Sequence, residues 1–308
     1  MVILNSDMEN AITSSDPMLL DSLMEKVFQD GGYDFRNYKH GTIVRRMARR
    51  LCATKTKTYL EYIHFLDTHP EEYHKLADDL TIKVSGFFRN QHSFQQLAGL
   101  VLPKLLAYKE ARGERTLRFW SAGCARGEEP YSIAILLSEF LGQRRQEFDI
   151  SINATDISQW AINHAQSGIY SSQDLGNLPE AIKAGYFTHS GENYEIRADI
   201  RQMVNYLPYD LTSTAPPPLY NLDCVFCCNV LIYWQRNLQE QVLEMIYEVL
   251  GTSGYLVLGE VETPTNKMRG RLLCLDHKAK IYKKGCLVID QWCKENREDG
   301  AIHCFNRR

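Results

Sequence analysis

The sequence predicts an α/β protein with a mostly parallel sheet, preceded by a small all-helical region. Three observations predict it. Residues 17–80 carry apolar residues at helical spacing with no strand text between them. From Arg89 onward, short apolar runs alternate with amphipathic stretches, the order that builds parallel sheets. The chain has 308 residues, 44% hydrophobic and 24% charged, enough for two ordinary globular domains.

The elements follow in order. Residues 1–16 are polar and aperiodic and are expected to be disordered. Leu19, Leu20, Leu23, Met24, Val27 and Phe28 make a first helix that Gly31 and Gly32 stop. Further helices are expected at 39–52, 58–67 and 70–80, so 17–90 reads as a helical domain. A helix at 91–110 precedes a buried strand at 116–121. A helix at 131–141, a strand at 149–155 and a helix at 160–167 follow. The stretch 168–205 is polar and broken by Gly and Pro, and reads as an inserted β-subdomain. A strand at 223–227, a helix at 238–250, a turn at 251–254, a strand at 255–259 and a final, antiparallel strand at 278–284 complete a domain over 91–285. Residues 286–308 form a tail of weak character.

The net charge of −3 rules out an overall polycation, so nucleic-acid or membrane binding would need a local basic patch. No apolar run approaches the ~20 residues that span a bilayer. The start MVILNSDMEN lacks a basic n-region and a long apolar stretch, so a cytoplasmic protein is expected. The nine cysteines are then reduced thiols. Cys224 and Cys227 are spaced C-x-x-C, but they fall in a buried strand and no second ligand pair follows, so no metal is expected.

The first strand runs into Ser121-Ala122-Gly123-Cys124-Ala125-Arg126-Gly127-Glu128-Glu129-Pro130. Gly123 and Gly127 allow a ligand close to the backbone. They are four residues apart, unlike the G-x-G-x-x-G of dinucleotide sites, and two glutamates at the helix start would repel a diphosphate. They suit a ligand bearing positive charge. Asp156, ending the second strand, is placed to accept hydrogen bonds from ribose hydroxyls. A cationic nucleoside without phosphate is S-adenosylmethionine. The alternative is that the glycines only make a tight turn and the glutamates only cap the helix.

Several runs carry a closer likeness. Trp120–Cys124, Gly127–Ser132, Phe87-Phe88-Arg89, Ala154–Ile157, Asn229–Tyr233, and Gly254–Gly259 followed by Glu262-Thr263 resemble, in order, the CheR family of chemotaxis-receptor methyltransferases. The resemblance covers about residues 20–284. It implies a Rossmann-like methyltransferase domain with an inserted β-subdomain, preceded by a helical domain. It implies transfer of a methyl group from S-adenosylmethionine, leaving S-adenosylhomocysteine, to glutamates on the cytoplasmic helical bundle of a chemoreceptor. Cofactor contacts are implied at Lys83, Ser85 and Arg89, at Gly123, Gly127, Glu128 and Asp156, and at Asp210, Leu211, Cys228 and Asn229. The chain departs from the family pattern in five places, one of them Asp210, which stands where the family generally has asparagine before leucine. Lys83 replaces an asparagine, Arg126 a small residue or threonine, Cys228 an arginine, and Glu260 the histidine of G-H-S-E-T. Arg126 is a candidate to restore the charge missing at Cys228.

Methyl transfer to a carboxylate needs alignment and water exclusion rather than a base, because a glutamate of pKa about 4.3 is already ionised at pH 7. Arg89 is the candidate to orient a carboxylate through its forked donors, or else a structural ion pair. Tyr233 is a candidate catalytic residue, or else a packed aromatic. Between Arg36 and Lys57 stand eight Lys or Arg and no acid. Arg45, Arg46, Arg49 and Arg50 share one side of a helix and form a candidate docking face for the acidic receptor, or else a solvated face. A monomer that binds no nucleic acid and is not inserted in a membrane is expected. Two other functions stay open: methylation of another substrate, and a drifted cofactor-binding sensor or docking protein.

Overall fold

The computed structural model describes residues 17–81 and 84–285. The expected disordered start and the tail with Cys286 and Cys293 lie outside the described residues, as does Lys83.

Four helices open the chain: α1 (Pro17–Gly31), α2 (His40–Thr54), α3 (Tyr59–Thr68) and α4 (Glu72–Leu80). Apolar residues at helical spacing turn inward, among them Leu23, Val27, Met47, Tyr62 and Leu76. Thr58 starts α3 by accepting the Glu61 N–H at 3.1 Å, while the Glu61 carboxylate takes the Lys57 N–H at 2.7 Å. Arg50 ties α2 to α4. Its Nε donates to Glu72 at 2.8 Å and its Nη1 to Asp79 at 3.0 Å, and Tyr62 adds a third donor to Glu72.

α5 (Gln91–Gln96) passes through a wider turn at Leu97–Val101 into α6 (Leu102–Ala111). The strands β1 (Thr116–Ala122) and β2 (Asp149–Asp156) flank α7 (Glu128–Leu141), and α8 (Gln159–Ser167) follows β2. The inserted segment forms its own antiparallel sheet from β3 (Ile169–Ser171), β4 (Phe187–Ser190) and β5 (Asn193–Ile196), with α9 (Glu180–Tyr186) between β3 and β4. A short turn, α10 (Ala198–Arg201), leads to β6 (Val204–Pro208). The chain then runs through β7 (Leu222–Cys227), α11 (Arg236–Val249), β8 (Leu250–Leu258), β9 (Leu272–Asp276) and β10 (Ile281–Lys284).

The main sheet has seven strands in the order β6-β2-β1-β7-β8-β10-β9. β6 to β8 pair in parallel, and β10 runs antiparallel between β8 and β9. Alternate residues of the central strands feed the two cores. Trp120, Val225 and Leu256 join the face that α11 covers, while Phe119, Phe226 and Val257 pack under α5, α6 and α7.

The structure departs from three expectations. Val204 and Asn205, read as the end of the insertion, begin β6, which pairs with β2 from Ile152↔Val204 to Asp156↔Pro208. The stretch 251–254, read as a turn, is irregular strand inside β8: its register shifts so that Leu222 meets Leu250 but Cys224 meets Tyr255. The strand β9 was not expected.

The helical region meets the sheet domain at the loop after β7. Tyr38 forms an antiparallel bridge with Trp234, Lys39 N–H donates to Tyr233 O at 2.9 Å, and Lys39 Nζ reaches Ile232 O at 2.8 Å.

Candidate active site

Strand order reverses at β1, which has β2 on one side and β7 on the other. Ligands of such sheets bind beyond the C-terminal strand ends at this point. A cleft opens there, roofed by Tyr38 and Leu80 of the helical region.

The floor is the turn after β1. Gly123 has φ +81°, and a Cβ there would lie 2.7 Å from Val230, so only glycine fits. Thr155 O accepts the N–H groups of Gly123 and Cys124 at 2.8 and 2.9 Å. Ala125, at φ 47°, donates its N–H to Asp156 at 2.9 Å, and the other Asp156 oxygen accepts Ser158 N–H at 2.9 Å. Two backbone donors therefore aim the Asp156 carboxylate at the cleft.

Gly127 and Glu128 do not line the cleft. A Cβ on Gly127 would lie 2.7 Å from Ala165 and 2.9 Å from the Tyr206 hydroxyl, so this glycine serves helix packing. Glu128 is fully buried on the far side of α7, paired with Arg126 at 2.7 Å. Consecutive helical residues point about 100° apart, and it is Glu129 that faces the cleft. Ser121 Oγ donates to Glu129 at 2.7 Å. Burial, with the Glu262 charge adding to it, pushes the Glu129 carboxyl up to about 7. Arg126 does not stand in for the charge missing at Cys228. It binds Glu128 and, at 2.9 Å, Asp174 of the insertion.

The third wall follows β7. Cys228 and Asn229 line the cleft, with Asn229 at φ 61°. Glu262, nearly inaccessible, braces this loop by accepting N–H groups from Asn229 at 2.8 Å, Ile232 at 3.1 Å and Gly259 at 2.8 Å. Burial raises its carboxyl. Asp210 and Leu211 close a fourth side. Asp210 is fixed by Thr212 N–H and Oγ at 2.8 and 2.7 Å, and burial raises it as well.

Ser85, Arg89 and Tyr233 stand at the mouth. Phe87 anchors their segment between the rings of Tyr170 and Phe187, and Phe88 N–H donates to Ser132 Oγ at 2.8 Å. Arg89 is exposed and donates one N–H to Val84 O at 2.7 Å. Burial raises the Tyr233 hydroxyl, while Arg89, Arg46 and Arg45 oppose that rise.

The candidate docking face divides. Arg45 and Arg49 are exposed and Arg46 is half-buried. Arg49 lies 3.5 Å from Asp79. Arg50 is turned inward onto Glu72 and Asp79, so it holds the helical region together rather than facing a partner. Cys224 and Cys227 are buried in β7. Among the described residues no group of three His, Cys, Asp or Glu could hold a metal, and no helix is long and apolar enough to cross a membrane.

Sequence reasoning passed over Glu129 and Glu262 as site residues. Glu129 carried the same signal as Glu128. Glu262 stood in the Gly259–Thr263 run without an assigned task.

The comparisons with known proteins place the chain in a family. Residues 83–280 match the model of the CheR methyltransferase SAM binding domain, and residues 18–81 that of the CheR methyltransferase all-alpha domain. The chain belongs to the CheR methyltransferase family. Over 247 residues it is 31% identical to a chemotaxis protein methyltransferase of Borreliella burgdorferi, covering 79% of this chain and 87% of that protein. It is 32% identical over 244 residues to chemotaxis protein methyltransferase 2 of Pseudomonas aeruginosa, covering 77% and 84%. An uncharacterized 104.1 kDa protein of Rhodobacter capsulatus is 34% identical over 243 residues, but the match spans 79% of this chain and only 25% of that protein. As a CheR methyltransferase the chain uses S-adenosylmethionine as methyl donor, and its setting is chemotaxis.

Proposed function

We propose that the chain methylates glutamate side chains on the cytoplasmic helical bundle of a chemoreceptor. The observation that carries this reading is the cleft mouth, lined by Arg89 and Tyr233, beside which the helical region exposes Arg45 and Arg49. An anionic side chain presented by an acidic surface is drawn to such a mouth.

The cleft suits the cofactor in shape and charge. The aimed Asp156 carboxylate takes ribose hydroxyls. Ile157 and Leu211 supply apolar walls for the base, with Asp210 and Asn229 as polar ends. Arg89 is the only cation among the described lining residues and is available to a carboxylate. When bound, S-adenosylmethionine supplies a methyl group activated by its sulfonium. The glutamate needs no deprotonation. Arg89 holds it in one orientation, Tyr233 narrows the approach, and the aromatic anchor of Phe87 keeps Arg89 in place.

Incubating the chain with methyl-labelled S-adenosylmethionine and a receptor cytoplasmic fragment tests the proposal. Label that alkali releases as methanol, and that is lost when the acceptor glutamates become glutamine, is expected. Alkali-stable label, or none, would refute a glutamate ester.

A further inference from the structure

The turn after β1 is held from two sides. On the sheet side, Thr155 O accepts the N–H groups of Gly123 and Cys124. On the other side the inserted segment grips Arg126. Asp174, just after β3, accepts the Arg126 guanidinium at 2.9 Å with one carboxylate oxygen. Its second oxygen is fixed by the N–H and Oγ of Ser171 at 3.0 and 2.7 Å. The same guanidinium nitrogen reaches Glu128 at 2.7 Å. Tyr170, buried in β3, donates its hydroxyl to Arg126 O at 2.9 Å. The insertion therefore holds both the side chain and the backbone of one residue of the turn.

Between the two grips lies Ala125. Its φ of 47° is left-handed, which costs energy for a residue with a Cβ and persists only where the surroundings impose it. In that conformation its N–H donates to Asp156 at 2.9 Å. Arg126, Tyr170 and Asp174 are not among the described residues that line the cleft, so they act on a ligand there only through this turn.

We propose that Arg126 is a positioning residue: through it the inserted sheet holds Ala125 in its strained conformation and keeps the Asp156 carboxylate aimed into the cleft. The proposal rests on the reading that this cleft binds the cofactor. When the grip is cut, Ala125 relaxes toward ordinary backbone angles, its N–H turns from Asp156, and affinity for the cofactor falls.

Isothermal titration calorimetry with S-adenosylhomocysteine, with thermal melts on the same preparations, tests this on the full chain. Asp174→Ala cuts the side-chain grip from the insertion, and Arg126→Met cuts it from the turn. Each is expected to raise the dissociation constant about fivefold or more. The double variant should be no worse than the weaker-binding single variant, because both changes cut one link. Tyr170→Phe removes only the hydroxyl bond and should raise the dissociation constant in the same direction. In an Asp156→Ala background, Asp174→Ala should change it by less than about twofold, since the carboxylate it acts through is gone. If Arg126→Met does not fold, Asp174→Ala and Tyr170→Phe decide the matter. A lower melting temperature with an unchanged dissociation constant in those two variants would make the link purely structural and overturn the proposal. So would a full Asp174→Ala effect without Asp156. If the wild-type chain binds no S-adenosylhomocysteine, the cleft is not the cofactor site and the proposal falls with that assignment.

Discussion

The backbone N–H of Asn229 donates to the buried carboxylate of Glu262 at 2.8 Å. This one bond links the loop after β7 to the loop after β8, and the same carboxylate also holds Ile232 and Gly259. Asn229 is kept in a left-handed conformation that asparagine tolerates and most residues do not. Replacing Glu262 with glutamine turns one acceptor oxygen into a donor facing N–H groups. A lost bond to a charged group costs about 1.5–3 kcal/mol. Glu262→Gln is expected to lower the melting temperature and weaken cofactor binding together. Calorimetric unfolding and titration on one preparation check it, and loss of one without the other would contradict a brace at the cleft wall.

The arginines of α2 are expected to behave as two groups. Arg45→Glu with Arg49→Glu should raise the KM for receptor fragments severalfold at low salt and leave cofactor affinity alone. The effect should fade at high salt, since exposed charges are screened beyond ~10 Å at 0.1 M. Arg50→Glu should instead destabilise the helical region by about 3–5 kcal/mol, because it leaves Glu72 buried and unpaired. Circular dichroism melts and steady-state kinetics separate the two outcomes.

Arg89→Lys keeps the charge at the mouth but loses the planar fork. Misplacing a nucleophile by about 1 Å costs ~100-fold in rate. A fall in kcat of that order, with an unchanged melting temperature, is expected from stopped-time methylation assays. Normal turnover would remove Arg89 from the reaction.

Glu129 gives the stability of the ligand-free chain a pH signature. Its carboxyl titrates near 7 in the fold, against about 4.5 in the unfolded chain. Between those values the folded state holds a proton that the unfolded state has released, so this group's contribution is full below about 4.5 and is lost as pH rises through 7. Glu129→Gln escapes that loss. The melting temperature of the variant minus that of the wild type should therefore grow from pH 5 to pH 8. A difference independent of pH would show that Glu129 is ionised throughout.

The fold was legible wherever one residue pattern decided an element. The helices of residues 17–80 follow apolar spacing, and β7, apolar but for Asp223, is buried along its whole length because a central parallel strand is covered on both faces. The edge strands were not legible. β6 reads Val-Asn-Tyr-Leu-Pro and buries only Val204, and β9 leaves Leu273 and Cys274 exposed. Edge strands need little apolar text, so they resemble loops. In the site, Gly123, Asp156 and Asn229 announced themselves by type and place. The choice between Glu128 and Glu129 depends on the rotation of α7, which two adjacent glutamates do not reveal. Arg50 read as a free charge because its partners, Glu72 and Asp79, lie far along the chain.

The central claim is that the cleft at the ends of β1, β2 and β7 holds the methyl donor, with Asp156 on its ribose. Titrating S-adenosylhomocysteine into the Asp156→Ala variant tests it most directly, since the neutral product reports the ribose contact without the charge effects of the sulfonium. Leaving buried hydroxyls unpaired costs about 1–3 kcal/mol, so the dissociation constant should rise about 5- to 150-fold while the secondary structure stays intact. An unchanged dissociation constant in the folded variant would contradict the claim.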